Sequence, residues 1–279
     1  MTCSTLLLHL DGGTRQETTA HLALRLASTL PARIVAVSAA GIPSQSGATL
    51  LPYGSGLPDP VWADLRMAAQ QRARRFEVAA AAHAGIETEV VVDDDDEVVA
   101  LSRHARCSDL VILGQPDPRG ERYREERLLV ERVLLDSAPP CLLVPYAGDF
   151  PAVGRHVLVA WNDSRSCSRA ILAALPVLRK ATLVRLVQCD LPATAGGASS
   201  HPRLEAASRW LEHHGVPVRA SVETTEIDFA NALLSRASDF GVDLIVAGGW
   251  SHSRLGEQLF GGVTRTLLDS MTVPTLMTH

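Results

Sequence analysis

The chain repeats itself, and an internal repeat of this length constrains the fold more than any other feature. VERVLLDSAPPCLLVPY (130–146) and VTRTLLDSMTVPTLMTH (263–279) share Val, Arg, Leu-Leu-Asp-Ser and a proline before an apolar run. Upstream, SDLVILGQ (108–115) matches VDLIVAGG (242–249), and HAGIETEVVV (83–92) answers HHGVPVRASV (213–222). The openings correspond as well, TLLLHLDGGT (5–14) with HVLVAWNDSR (156–165). Matches kept in one order along both halves point to a duplicated domain. The expected domains are residues 1–148 and 154–279, joined within the Gly- and Pro-containing stretch AGDFPAVG (147–154).

Each copy alternates short apolar runs with amphipathic ones. In the second copy HVLVAW, TLVRLVQ, VRASVET, DLIVAG and PTLMTH read as strands. Helices are expected from about Ser164 to Arg179, over RLEAASRWLEHHG, over DFANALLSRASDFG, and from about Gly262 to Ser270. Apolar strands separated by helices favour a parallel sheet covered on both faces. The expected fold class is therefore α/β: two Rossmann-like, doubly wound domains, each a five-stranded, mostly parallel sheet. In such sheets ligands sit beyond the carboxyl ends of the strands. The first copy follows the same plan with a longer loop, GIPSQSGATLLPYGSGLPDP (41–60). PCLLVPY and PTLMTH are apolar edge strands that need covering. Pairing them with each other, as an internal pseudo-dimer, or with a second copy of the chain, would do so.

Composition narrows the partners. With 46% hydrophobic and 20% charged residues, the chain can bury a sizeable core. Net charge is −5 and the basic residues are scattered, which argues against a nucleic-acid surface. No run approaches the roughly 18 apolar residues that would span a bilayer. The opening MTCSTLLLHLDGG lacks a basic n-region and is not expected to act as a signal peptide. Five cysteines (Cys3, Cys107, Cys141, Cys167, Cys189) form no CxxC pair, which suits a reducing cytoplasm. Cys167, near a helix start, has the strongest case for redox chemistry, though a buried thiol is the preferred reading.

The stretch AGGWSHSRLGEQLFGGVT (247–264) carries the ligand argument. Gly248 closes a strand, and Gly261 and Gly262 open the last helix. Bare amides at a helix N-terminus seat a phosphate through unpaired donors and the positive end of the helix dipole. Gly, x, x, Ser, then nine residues, then Gly-Gly resembles the G-x-x-G, nine residues, G-[ST] pattern of ATP-binding universal stress proteins. Together with the duplication, the resemblance covers essentially the whole chain and points to the tandem form of that family. It implies ATP, accompanied by Mg²⁺, held by Gly248, Ser251, Gly261 and Gly262. On their own chemistry, His252 as a partial cation and Thr264 as a hydroxyl donor are further candidates near the phosphates, with Val263 between the glycines and Thr264. The family aspartate at the end of the first strand corresponds to Asn162, flanked by Ala160 and Trp161, with Val187 on the adjoining strand.

This chain departs from the family at three of these positions. Asn162 can bond a ribose hydroxyl but brings no charge. Ser251 replaces a glycine, and Gly262 lacks the final hydroxyl, a loss of about 1 kcal/mol. Trp161 would either stack on a base or fill its pocket. Two readings therefore stand side by side: a working nucleotide site, or a turn and helix start retained from an ATP-binding ancestor. In the first copy Gly114 and Asp11 remain. However, the repeat sets Leu128 and Leu129 opposite Gly261 and Gly262, at an expected helix start, with Glu125 and Glu126 close by. That copy is expected to hold no nucleotide, with Asp11 acting as a turn residue beside Gly12 and Gly13.

DDDDE (93–97) is read as helix capping rather than as a metal site, since consecutive acids point apart. His213 and His214 suit the end of a helix before Gly215. No Walker loop, GxSxG or HExxH occurs, and Ser251-His252-Ser253 cannot form a triad from adjacent residues. The expected function is a cytoplasmic stress-response protein, non-enzymatic, with ATP in its second domain. The alternatives are a nucleotide-free interaction scaffold and a slow ATPase.

Overall fold

The computed structural model describes residues 3–41, 59–190, 201–249 and 262–278. It divides into two units, with the boundary between Cys141 and Leu142.

The first unit runs β1 (Thr5–His9), α1 (Gln16–Thr29), β2 (Arg33–Ala39), α2 (Asp59–Ala81), β3 (Thr88–Asp93), α3 (Glu97–Ala105), β4 (Leu110–Gly114) and α4 (Tyr123–Asp136). β5 (Cys141–Val144) follows, and the segment entering it is tied to β4 by Val111 N–H donating to Pro140 C=O at 3.0 Å. The strands pair in parallel in the order β3-β2-β1-β4. Leu6, Leu7 and Leu8 of β1 and Val111 and Ile112 of β4 are completely buried, because helices cover both faces.

The second unit runs β6 (His156–Trp161), α5 (Arg165–Leu178), β7 (Leu183–Asp190), α6 (Pro202–His213), β8 (Val218–Thr224), α7 (Phe229–Asp239), β9 (Leu244–Gly248), α8 (Gly262–Ser270) and β10 (Thr275–Thr278). Its order is β8-β7-β6-β9-β10, again all parallel. Both units are thus α/β layers in which the first strand stands at the centre, the switch point of a doubly wound sheet.

The duplication is visible in individual bonds. Asp109 Oδ2 accepts the N–H groups of Ser4 and Thr5 at 2.8 and 2.9 Å, holding the start of β1. Its counterpart Asp243 Oδ1 accepts those of Gly154 and His156 at 2.9 and 3.1 Å, holding the start of β6. At the other end of the strand, Asp11 Oδ1 accepts Gly13 N–H at 2.8 Å, and Asn162 Oδ1 accepts Ser164 N–H at 3.2 Å. Gly12 takes φ +76° inside the first of these turns and Asp163 takes φ +53° inside the second. Gly85 and Gly215, matched in the repeat, both have positive φ after a helix.

One sequence expectation fails. The repeat sets Leu128 and Leu129 at a helix start, yet α4 begins at Tyr123 and places both in its second turn. The reason lies upstream. Asp117, Arg119 and Gly120 form a turn, with Gly120 N–H bonded to Asp117 C=O and Arg119 N–H to Asp117 Oδ1. That turn releases the chain into helix early, with Glu125 and Glu126 in the first turn where acids complement the dipole.

Candidate functional site at the carboxyl edge of the second sheet

The register brings the ends of four strands together. Ala160 lies opposite Val187 and Trp161 opposite Gln188, while Gly248 lies opposite Thr278. Gly249 N–H continues the ladder onto Thr278 C=O at 2.6 Å. Ala160, Trp161, Asn162, Val187 and Gly248 therefore share one edge of one sheet.

The start of α5 packs tightly into this edge. Ser164 caps the helix, its Oγ accepting Cys167 N–H at 3.1 Å and donating to Asn162 Oδ1 at 2.6 Å. The Cys167 thiol donates to Ala160 C=O at 3.0 Å. A Cβ added to Gly248 would stand 2.6 Å from the carbonyl carbon of Ser166 and 2.8 Å from its Oγ. The glycine is thus required by the close approach of β9 to the backbone of α5.

The remaining sequence-predicted residues fall as follows. Trp161 is only 7% exposed, and its Nε1 has no hydrogen-bond partner among the described residues. Its ring is buried rather than presented for stacking. Gly262 is the first residue of α8, and Val263 follows it. Thr264 is completely buried. Ser251, His252 and Gly261 lie outside the described residues, as do the side chains of Gly262 and Val263. Beside Val187, sequence reasoning missed a polar group: Gln188 Nε2 reaches Asp190 Oδ1 at 3.0 Å and His201 Nδ1 at 3.1 Å. His201 lies 13 residues along the chain from Gln188, so no local spacing signals the contact.

The corresponding edge of the first unit is lined by the protein's own charges. Arg72 of α2 donates through Nε to Ser38 Oγ at 2.9 Å and through a terminal nitrogen to Ala39 C=O at 2.5 Å, capping β2. A Cβ on Gly12 would meet its Cδ at 2.7 Å, so the arginine stem lies against that turn. Arg122 at the N-cap of α4 approaches Glu97 at 3.8 Å and Glu125 at 3.2 Å. A Cβ on Gly114 would stand 2.9 Å from Asp11 Oδ2. Nothing in QQRARRFEV distinguishes Arg72 from its neighbours, which is why sequence reasoning passed over it.

The acidic run also corrects an expectation. Asp96 caps α3, its Oδ1 accepting Val98 and Val99 N–H at 2.9 and 3.3 Å, as read from sequence. Asp93 and Asp95 do not diverge, however; both meet Arg103, at 2.5 and 2.6 Å. The cation they share is a guanidinium. Among the described residues no cluster of His, Cys, Asp or Glu is placed to hold a metal ion. Burial raises the Cys167 thiol to about 11 and the Cys141 thiol to about 12, so neither supplies a thiolate near neutral pH. Cys167 is 1% exposed and its thiol is bonded to Ala160 C=O, which fits the buried-thiol reading. Among the described residues no helix is long and apolar enough to cross a membrane.

Comparison with known proteins agrees with this architecture. A family model described as the universal stress protein family matches residues 154–279. A universal stress protein of Synechocystis sp. is 28% identical over 179 residues, 60% of this chain and 57% of that protein. The match therefore spans little more than half the length of that relative. A universal stress protein from Archaeoglobus fulgidus superposes with a TM-score of 0.70 at 17% identity, covering 99% of this chain and 96% of its own. A functionally unknown protein from Pseudomonas aeruginosa does so at 0.61 and 13% identity, covering 99% and 92%. At these identities the structural likeness speaks for the fold.

Proposed function

We propose that this chain, whose residues 154–279 match the universal stress protein family, is a two-domain member of that family and a cytoplasmic stress-response protein whose second domain binds an adenine nucleotide, ATP with Mg²⁺ in the first instance. One observation carries the reading: β9 ends at Gly248 on the edge that holds Ala160, Asn162 and Val187, and the next described element, α8, starts at a glycine, Gly262. A helix opening on glycine offers N–H donors and a positive dipole end to a phosphate. Asn162 Oδ1 is engaged by Ser164, which leaves the Nδ2 amide to reach a ribose hydroxyl. Magnesium would be held by the phosphates of the nucleotide, since the described residues supply no carboxylate cluster for it.

Isothermal titration calorimetry with ATP and Mg²⁺ tests the reading. Binding below millimolar concentration is expected, and Gly261→Leu is expected to abolish it while circular dichroism stays unchanged. A second reading, a scaffold of the same fold that binds no nucleotide, is favoured by the burial of Trp161 and by the packing of Gly248 on α5. Silence in the calorimeter at millimolar ATP would select it. Phosphate release under saturating ATP and Mg²⁺ reads the remaining alternative, slow hydrolysis.

A further inference from the structure

We propose that the carboxyl edge of the first unit is a proton-uptake site centred on Glu126, which tightens that unit as its surroundings become acidic. The site is a cavity of about 30 Å³ bordered by His9, Asp11, Glu97, Arg122 and Glu126, with the apolar side chains of Leu129 and Val130 behind. Such a volume has room for an ordered water beside these polar groups.

The charges around it do not balance. Asp11 comes from the turn after β1, Glu97 from α3, and Glu125 and Glu126 from the first turn of α4. Against these four carboxylates stand, among the described residues, the guanidiniums of Arg122 from the start of α4 and Arg72 from α2, both within electrostatic reach of Glu97. Arg122 divides itself between Glu97 and Glu125, and Arg72 is committed to Ser38 and Ala39. Among the described residues no guanidinium is bonded to Glu126.

His9, the last residue of β1, completes the picture. It is 4% exposed and borders the same cavity, and its Nε2 has no hydrogen-bond partner among the described residues. Glu97 Oε1 stands 3.9 Å away, beyond hydrogen-bond length. An unpaired buried polar atom costs free energy that a suitable donor restores. A protonated Glu126 supplies an O–H donor to this cavity and removes one of its surplus charges. In the Nδ1–H tautomer His9 can accept that hydrogen, directly or through one water.

The electrostatics run in the same direction. Burial, and then the charge of Asp11, raise the Glu126 carboxyl above its ordinary value of 4.5; Glu97 and Glu125 add to the rise and Arg122 opposes it. An acid whose folded pKa lies above its unfolded one contributes stability that is complete below the unfolded value. The contribution is lost as pH rises through the folded value. The window therefore opens at pH 4.5 and extends upward.

Thermal unfolding of the full chain and of Glu126→Gln, from pH 5 to pH 8, tests the proposal. The glutamine is a permanent, neutral stand-in for the protonated acid. The variant is expected to melt about 2–4 °C above wild type at pH 8, with the two converging toward pH 5. Asp11→Asn keeps the turn oxygen while removing the charge that lifts Glu126, and should shrink the pH-dependent gap. A gap that does not change with pH, or a variant less stable at pH 8, overturns the proposal. Should Glu126→Gln not fold, a carbon-detected NMR titration of wild type decides. One glutamate carboxyl titrating above the ordinary range, and returning toward it in Asp11→Asn, supports the site; every glutamate titrating at its ordinary value overturns it.

Discussion

Gly114 and Gly248 occupy the same position in the two repeats, yet a methyl group would meet different atoms at each. At Gly248 it meets the backbone and hydroxyl of Ser166, which cannot withdraw without unseating α5. At Gly114 it meets one carboxylate oxygen of Asp11, the far end of a side chain that can rotate. Gly248→Ala should therefore cost about 2–3 kcal/mol and Gly114→Ala less than about 1 kcal/mol, as read by urea unfolding. Equal costs would show that the α5 contact is not what holds the glycine. Asp163 poses the converse case. It sits at φ +53° where the first repeat uses Gly12, a left-handed conformation costing an L-residue roughly 1–2 kcal/mol. Its ion pair with Arg203, at 3.6 Å between largely exposed groups, offsets little of that. Asp163→Gly should raise the melting temperature by about 1–3 °C after the entropy of the more flexible unfolded chain is allowed for. A fall in melting temperature would contradict this account.

The strands and most of the helices were legible because periodicity and end signals agree with burial. β8 covers the VRASVET run, α8 covers Gly262 to Ser270, and Ser164 caps α5 where the sequence opens that helix. The α4 start was not legible, because a repeat alignment carries over helix boundaries that a local turn at Asp117 and Gly120 overrides. The α3 region shows why an acidic run is ambiguous: only three-dimensional placement tells Asp96, a cap, from Asp93, an ion-pair partner. Burial alone would raise the Asp93 carboxyl. Hydrogen bonds from the Arg103 guanidinium, Asp95 N–H and His104 together hold it below its ordinary 3.8. The resulting stability is present above pH 3.8 and is lost as pH falls through the folded value. Asp93→Asn should be less stable than wild type at pH 7, with the gap closing below pH 4; a gap that persists there would contradict the assignment. This acid-side loss is opposite in sign to that of Glu126, so the two carboxylates can be separated by their pH profiles.

At the scale of the molecule, duplication has kept the architecture and let the two carboxyl edges diverge. Asp109 and Asp243 still perform the same clamp at the amino edge, because every copy must anchor its central strand. At the carboxyl edge the first unit carries Arg72, Arg122 and a surplus of carboxylates. The second carries Asn162, Val187 and a helix that opens on glycine. The fold was readable because it is written in apolar periodicity, and the charged lining of the first edge was not, because it depends on single arginines meeting across elements. The central claim is that the second edge holds an adenine nucleotide. Native mass spectrometry of the gently purified full chain tests it most directly. A bound adenine nucleotide, lost in Gly261→Leu, is the predicted result; a bare chain that stays bare after incubation with millimolar ATP and Mg²⁺ would contradict it.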